Sequence, residues 1–233
     1  MPPHPPPELS SPQVQAIPIA DCGELLIDVT HSGLITCGPP PECPETAPFY
    51  RLLRSGVVAR LEQAQQYLPA GLRLRVYEGY RHPKIQQMLF DAQWRRMQIA
   101  HPTQSAAWCY VQAAQLASPL RTFAGEPMIP PHSTGGAVDI DIIDAAGQSL
   151  DFGMALSDWG EIPPELCATQ YAGLTDAAAS NRRLLLEVMT AAGLVNYPRE
   201  WWHFSYGDRY WACVTGSAQA RYGAVEELIF DAE

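Results

Sequence analysis

Seven residues near the middle of the chain, Ala137-Val138-Asp139-Ile140-Asp141-Ile142-Ile143, alternate apolar and acidic side chains with a period of two. Successive side chains of an extended strand point to opposite faces, so Val138, Ile140 and Ile142 require a covered core while Asp139 and Asp141 share the other face. No helix satisfies that pattern. The chain must therefore build a sheet with one apolar face and one face free for polar chemistry. Gly135-Gly136, immediately before the strand, let the backbone turn closely, and His132 precedes that turn.

A second segment, Glu200-Trp201-Trp202-His203, supplies what the first lacks. A catalytic zinc ion takes three protein ligands from His, Asp or Glu and keeps a further position open for water. His132, Asp139 and His203 fit that set. Glu200 stands three residues from a ligand without being needed as one, and so suits the base that takes a proton from the attacking water. On a regular strand residues three apart face opposite ways, so Glu200 can serve His203 only from a bend at the strand start. Asp141 reads as a solvated or strand-end carboxylate or as a support for the ligands. His4, His31, His82 and His101 have no comparable neighbours and read as surface or structural groups.

His132 to Asp139 resembles the H-x-x-G-x-A-x-D segment, and Glu200 to His203 the E-x-W-H segment, of zinc D-Ala-D-Ala dipeptidases and their D,D-carboxypeptidase relatives. Glu78-Gly79-Tyr80-Arg81 is similar to that family's [DE]-G-Y-R, and Trp202 to Trp211 to its C-terminal signature. The elements occur in the family's order across residues 25–212. The resemblance implies the hedgehog/DD-peptidase fold, one zinc ion per chain, and Arg81 as the guanidinium that meets the developing oxyanion. Tyr80 and Trp202 are further candidates for substrate contact. Where the family shows serine two positions before the first histidine, this chain has Pro130. The family's G-T-x-F-D appears as Gly153-Met154-Ala155-Leu156-Ser157 followed by Asp158, so Asp158 or Glu161 is the candidate to hold a substrate ammonium. The expected reaction is hydrolysis of a small D,D-dipeptide; the alternatives are a D,D-carboxypeptidase trimming peptidoglycan stems and a non-catalytic zinc-binding module.

The chain has 233 residues, enough for one sizeable core, with 47% hydrophobic and 17% charged residues. Its 25 acidic and 15 basic side chains give a net charge of −10, which argues against nucleic acid as a partner. No apolar run approaches the roughly 18 residues of a membrane span, and the start of the chain lacks the features of a secretory signal, so a cytoplasmic protein without membrane contact is expected. Residues 1–18 are proline-rich and read as a flexible or extended tail tied down near Ile17, with residues 19–233 as a single catalytic domain. Six cysteines without a C-x-x-C pair read as mostly buried thiols, with Cys37 and Cys43 able to pair if oxidised. Helices are expected over 49–67, 83–99, 105–116 and 176–192, and strands over 24–29, 72–77, 137–143 and 201–206. The class is α+β, a small antiparallel sheet with helices packed mainly on one side.

Overall fold

The computed structural model describes residues 7–38 and 44–225. In chain order its elements are α1 (Pro12–Gln15), β1 (Leu26–Asp28), β2 (Thr36–Cys37), β3 (Leu52–Arg54), α2 (Ser55–Tyr67), β4 (Arg73–Glu78) and α3 (Pro83–Ala100). They continue with α4 (Ala106–Ala113), β5 (Ala137–Ile143), α5 (Asp176–Ala191), β6 (Val195–Asn196), β7 (His203–Ser205) and α6 (Arg209–Thr215). The fold is α+β. Five strands form one sheet in the order β2-β4-β5-β7-β6, and β1 and β3 pair separately.

The alternating segment is β5, in the middle of the larger sheet. Val138, Ile140 and Ile142 face a core shared with Leu74 and Val76 of β4, Val57 and Leu61 of α2, and Leu185 and Val188 of α5. Each such side chain contributes about 1.5–3 kcal/mol by leaving water, so the apolar half of β5 fixes which way its acidic half points. Beyond the acidic face, α3 packs on α4 through Phe90, Ala113 and Ala114. α2 and α5 thus pack on the apolar face of the sheet, while residues of α3 line a cleft over its acidic face.

The sheet is mixed rather than antiparallel. β2 runs parallel to β4, with Thr36 opposite Arg75, and the Thr36 hydroxyl donates to the Leu74 carbonyl at 2.9 Å. The helix expected over 49–67 begins only at Ser55, and Leu52–Arg54 is a strand antiparallel to β1. Distant partners hold that stretch extended: the Tyr50 and Leu52 carbonyls accept from the amides of Gly79 (2.6 Å) and Tyr80 (2.7 Å), and the Arg54 amide donates to Gly135 (3.0 Å).

Within residues 7–18 the proline-rich segment packs on the rest of the fold. Leu9 and Val14 are buried against Tyr197 and Tyr210, because two apolar residues among the prolines find a groove beside α6. Cys22, Cys37, Cys109, Cys167 and Cys213 are free thiols; Cys43, and with it a Cys37–Cys43 pair, lies outside the described residues. Among the described residues no helix is long and apolar enough to cross a membrane.

Candidate metal centre

Strand register brings the site together. Asp139 on β5 is the direct partner of His203 on β7, and a register shift between Val76 and Glu78 sets Glu78 opposite Asp139 on the other side. Glu78, Asp139 and His203 therefore form a row across three strands, at a bulge of the kind that re-aims side chains near sites. His132 arrives from the helical turn Pro131–Thr134, which ends at Gly135 with φ +69°, a left-handed conformation that favours glycine. Its Nδ1 bonds the Gly79 carbonyl at 2.8 Å, leaving Nε2 to face the row. The turn is stitched to the Arg81 segment by the Arg81 amide on the His132 carbonyl (3.2 Å) and the Ser133 hydroxyl on the Arg81 carbonyl (3.1 Å).

His132 Nε2, His203 Nδ1 and Asp139 Oδ1 form a triangle with sides of 3.2, 3.1 and 3.3 Å. Tetrahedral bonds of about 2.0–2.1 Å separate ligand atoms by about 3.3 Å, so the triangle has the dimensions of three zinc ligands. All three residues are buried. Burial opposes ionisation of Asp139, but the His132 and His203 imidazoles outweigh it and hold the carboxyl below its usual range.

Glu200 lies in the turn before β7. The His203 amide donates to its carbonyl at 3.2 Å, and the Asn196 side-chain amide donates to the carbonyls of Glu200 and His203, both at 3.0 Å. That bend brings residues three apart to one side, and Glu200 Oε2 sits 3.7 Å from His203 Nδ1. Burial, reinforced by the Asp139 charge and only partly offset by His132 and Arg81, raises the Glu200 pKa well above its ordinary value. Arg81 places Nη2 3.2 Å from Glu78 and 3.8 Å from Asp139 Oδ2, while Nη1 donates to Gln86 Oε1 at 3.0 Å. Burial opposes its charge, but Glu78 and Asp139 more than restore it, so the guanidinium stays protonated.

The triangle opens on a cleft of about 500 Å³ whose lining includes Arg81, Gln86, Leu89, Arg96, Trp159, Glu161 and Trp202. Sequence reasoning gave Gln86 and Glu78 no role; the available signal for Gln86 was a polar residue flanked by Ile85 and Phe90 on the inward stripe of a helix. Two candidates fall outside the cleft. Tyr80 is fully buried, edge-on to Phe49 with its hydroxyl near the Val225 carbonyl, because its backbone is anchored on Leu52. Asp158 is exposed and accepts from Ser157 at 2.9 Å, since the turn Leu156–Asp158 leaves it at the surface; Glu161 is the carboxylate of that loop that lines the cleft. Asp141 is not solvated: it is 1% exposed, paired with Arg75 at 2.6 Å and bonded by Ser149 at 2.6 Å.

A buried His/Asp/His triangle at a cleft floor, flanked by a carboxylate of raised pKa and a fixed guanidinium, defines a metal-dependent hydrolase. The family model described as D-ala-D-ala dipeptidase matches residues 50–220, and the chain belongs to that family of peptidases. It is 32% identical over 226 residues to the D-alanyl-D-alanine dipeptidase of Synechocystis sp., covering 84% of this chain and 87% of that one. It is 30% identical over 135 residues to the D-alanyl-D-alanine dipeptidase of Escherichia coli, covering 58% and 55%. A solved structure of a vancomycin-resistance VanY D,D-pentapeptidase in complex with Zn(II) covers 72% of this chain and 79% of its own, at 17% identity and a TM-score of 0.42.

Proposed function

We propose that this protein hydrolyses D-Ala-D-Ala to two D-alanines, with one zinc ion held by His132, Asp139 and His203. The dimensions of the ligand triangle carry the reading, and membership of the dipeptidase family supplies the substrate class. Such an ion, when bound, is a Lewis acid that makes water nucleophilic near neutral pH.

The chain's own groups do the rest. Glu200 takes the proton of the attacking water and passes it to the leaving amine; its raised pKa suits a group that must both accept and release a proton. Arg81, fixed by Glu78 and Gln86, faces the charge that builds on the scissile carbonyl oxygen. Trp202 walls the cleft, and Glu161 pairs with the substrate's free ammonium. The described free thiols support a reducing, cytoplasmic setting, and the catalytic unit comprises residues 19–233 with residues 8–18 packed on it.

The deciding experiment measures D-alanine release by the zinc-loaded protein from D-Ala-D-Ala, its N-acetyl derivative and a stem pentapeptide. A polar group buried without its partner costs about 1–3 kcal/mol, so the free dipeptide is expected to be preferred by roughly tenfold or more. Equal or faster cleavage of the blocked peptides reassigns the enzyme as a carboxypeptidase.

A further inference from the structure

The N-terminal segment lies outside the family-matched residues 50–220, yet it reaches the cleft. Glu8 clamps it there. Its carboxylate is 2.5 Å from Arg199 Nη2, accepts from Arg199 Nε at 2.7 and 2.8 Å, and accepts the Tyr197 hydroxyl. Those partners flank the catalytic turn: the Tyr197 carbonyl accepts the Glu200 amide at 2.9 Å, and the Tyr197 ring stands edge-on to His203 with centroids 6.1 Å apart. Leu9 follows the clamp. It is 6% exposed, packs in one cluster with Val14, Tyr197 and Tyr210, and lines the same cleft as His132, Asp139 and His203.

The two ends of the cleft differ in chemistry. α3 runs along it from Gln86, bonded to Arg81, to Arg96, which donates to the Gly160 carbonyl at 2.5 Å and stacks over Trp159. Ten residues of helix put those ends about 15 Å apart. Glu161 follows Gly160 at the Arg96 end, whereas Gln86 at the other end donates to the Ser118 carbonyl at 2.8 Å, and Leu116, Ala117, Ser118 and Leu9 all line the cleft. The Tyr197 hydroxyl oxygen, whose proton goes to Glu8, also lies 3.0 Å from the Gln115 carbonyl, which sets the N-terminal segment beside that wall. An extended dipeptide spans about 7 Å, so with its ammonium directed towards Glu161 its leaving residue points towards the Leu9 end.

We infer that Leu9, held by the Glu8 clamp, is a specificity-determining residue that confines the leaving position to a side chain as small as that of D-alanine. The inference rests on the dipeptidase reading. A rigid apolar wall discriminates by volume, and one methylene group in such a pocket is worth roughly tenfold or more in rate. A substrate with a bulky C-terminal residue is excluded by contact with Leu9, while one differing only at its amino end is not.

The test compares kcat/KM of the zinc-loaded full chain on D-Ala-D-Ala and D-Ala-D-Phe, alongside zinc content and thermal midpoint. Leu9→Ala should raise the D-Ala-D-Phe to D-Ala-D-Ala ratio by roughly tenfold, Glu8→Ala should raise it less, and Leu9→Phe should lower kcat/KM for D-Ala-D-Ala mainly through KM. A purely structural role for Leu9 predicts parallel losses on both substrates with a lowered midpoint, and that result overturns the inference. Relaxed selectivity at the amino end instead, seen as faster cleavage of N-acetyl-D-Ala-D-Ala, overturns it too. If the wild-type protein releases D-alanine from neither dipeptide, the dipeptidase reading fails and takes the inference with it. An unchanged ratio in active Leu9 variants overturns the inference alone.

Discussion

Asp139 divides its carboxylate between two tasks: Oδ1 closes the triangle with the imidazoles, and Oδ2 faces the Arg81 guanidinium. His132→Ala, Asp139→Ala and His203→Ala are each expected to lose the metal, since three ligands are the minimum set; metal analysis of the purified variants checks this. Glu200→Gln should keep the metal and slow turnover by roughly 10² to 10⁴, the range for removal of a positioned general base. Retained turnover with lost metal would make Glu200 a ligand. Arg81→Ala should reduce kcat more than it raises KM, by about 3 kcal/mol in transition-state terms, and Arg81→Lys should recover only part because it lacks the planar fork that meets both Glu78 and Gln86. An effect confined to KM would make Arg81 a substrate anchor.

At the scale of elements, Arg182 on α5 ties the cleft-lining loop to the helix. It is 2% exposed, donates to the carbonyls of Phe152 (2.8 and 2.6 Å), Leu166 (2.9 Å) and Ala168, and stacks over Trp201. Burial lowers its pKa to about 10, a cost the carbonyls offset. Arg182→Met leaves those acceptors buried without a donor, so a loss on the order of 3 kcal/mol is expected in denaturant unfolding. A variant within 0.5 kcal/mol of wild type, measured the same way, would show that water replaces the guanidinium. β5, α3 and α5 were legible in the sequence because their apolar periodicity is local and their ends carry local signals, such as Thr175 capping the Ala178 amide. β3 and β2 were not, since carbonyls in 50–52 answer to Gly79 and Tyr80 and Thr36 answers to Leu74, distant demands that no window reveals. The same holds for the site. The motifs singled out His132, Asp139 and His203, which the fold brings together, whereas Tyr80's burial, Asp158's exposure and the Arg75–Asp141 pair depend on which neighbour the fold delivers.

For the molecule as a whole, the thiols report which parts stay closed. Cys22 is exposed, whereas Cys167 is fully buried and its pKa is pushed up to about 12 by burial and by the Glu200 charge. Alkylation of the native protein near about pH 8 should modify Cys22 first and Cys167 only on unfolding, as peptide mass spectrometry would reveal. Equal rates would mean that the core around Cys167 opens readily.

The ligand triangle also has a mechanical consequence. His132 and His203 are 71 positions apart, so an ion gripping both closes a long loop, as a covalent cross-link would. By the chain-entropy argument for cross-links, a tie of that span is worth on the order of 4 kcal/mol against the unfolded chain, provided the unfolded chain lets the ion go. A chelator should therefore lower the thermal midpoint of the wild-type protein and leave that of His203→Ala nearly unmoved. An ion bound there would act as a removable staple, and metal supply would then govern how long this chain persists as well as how fast it works.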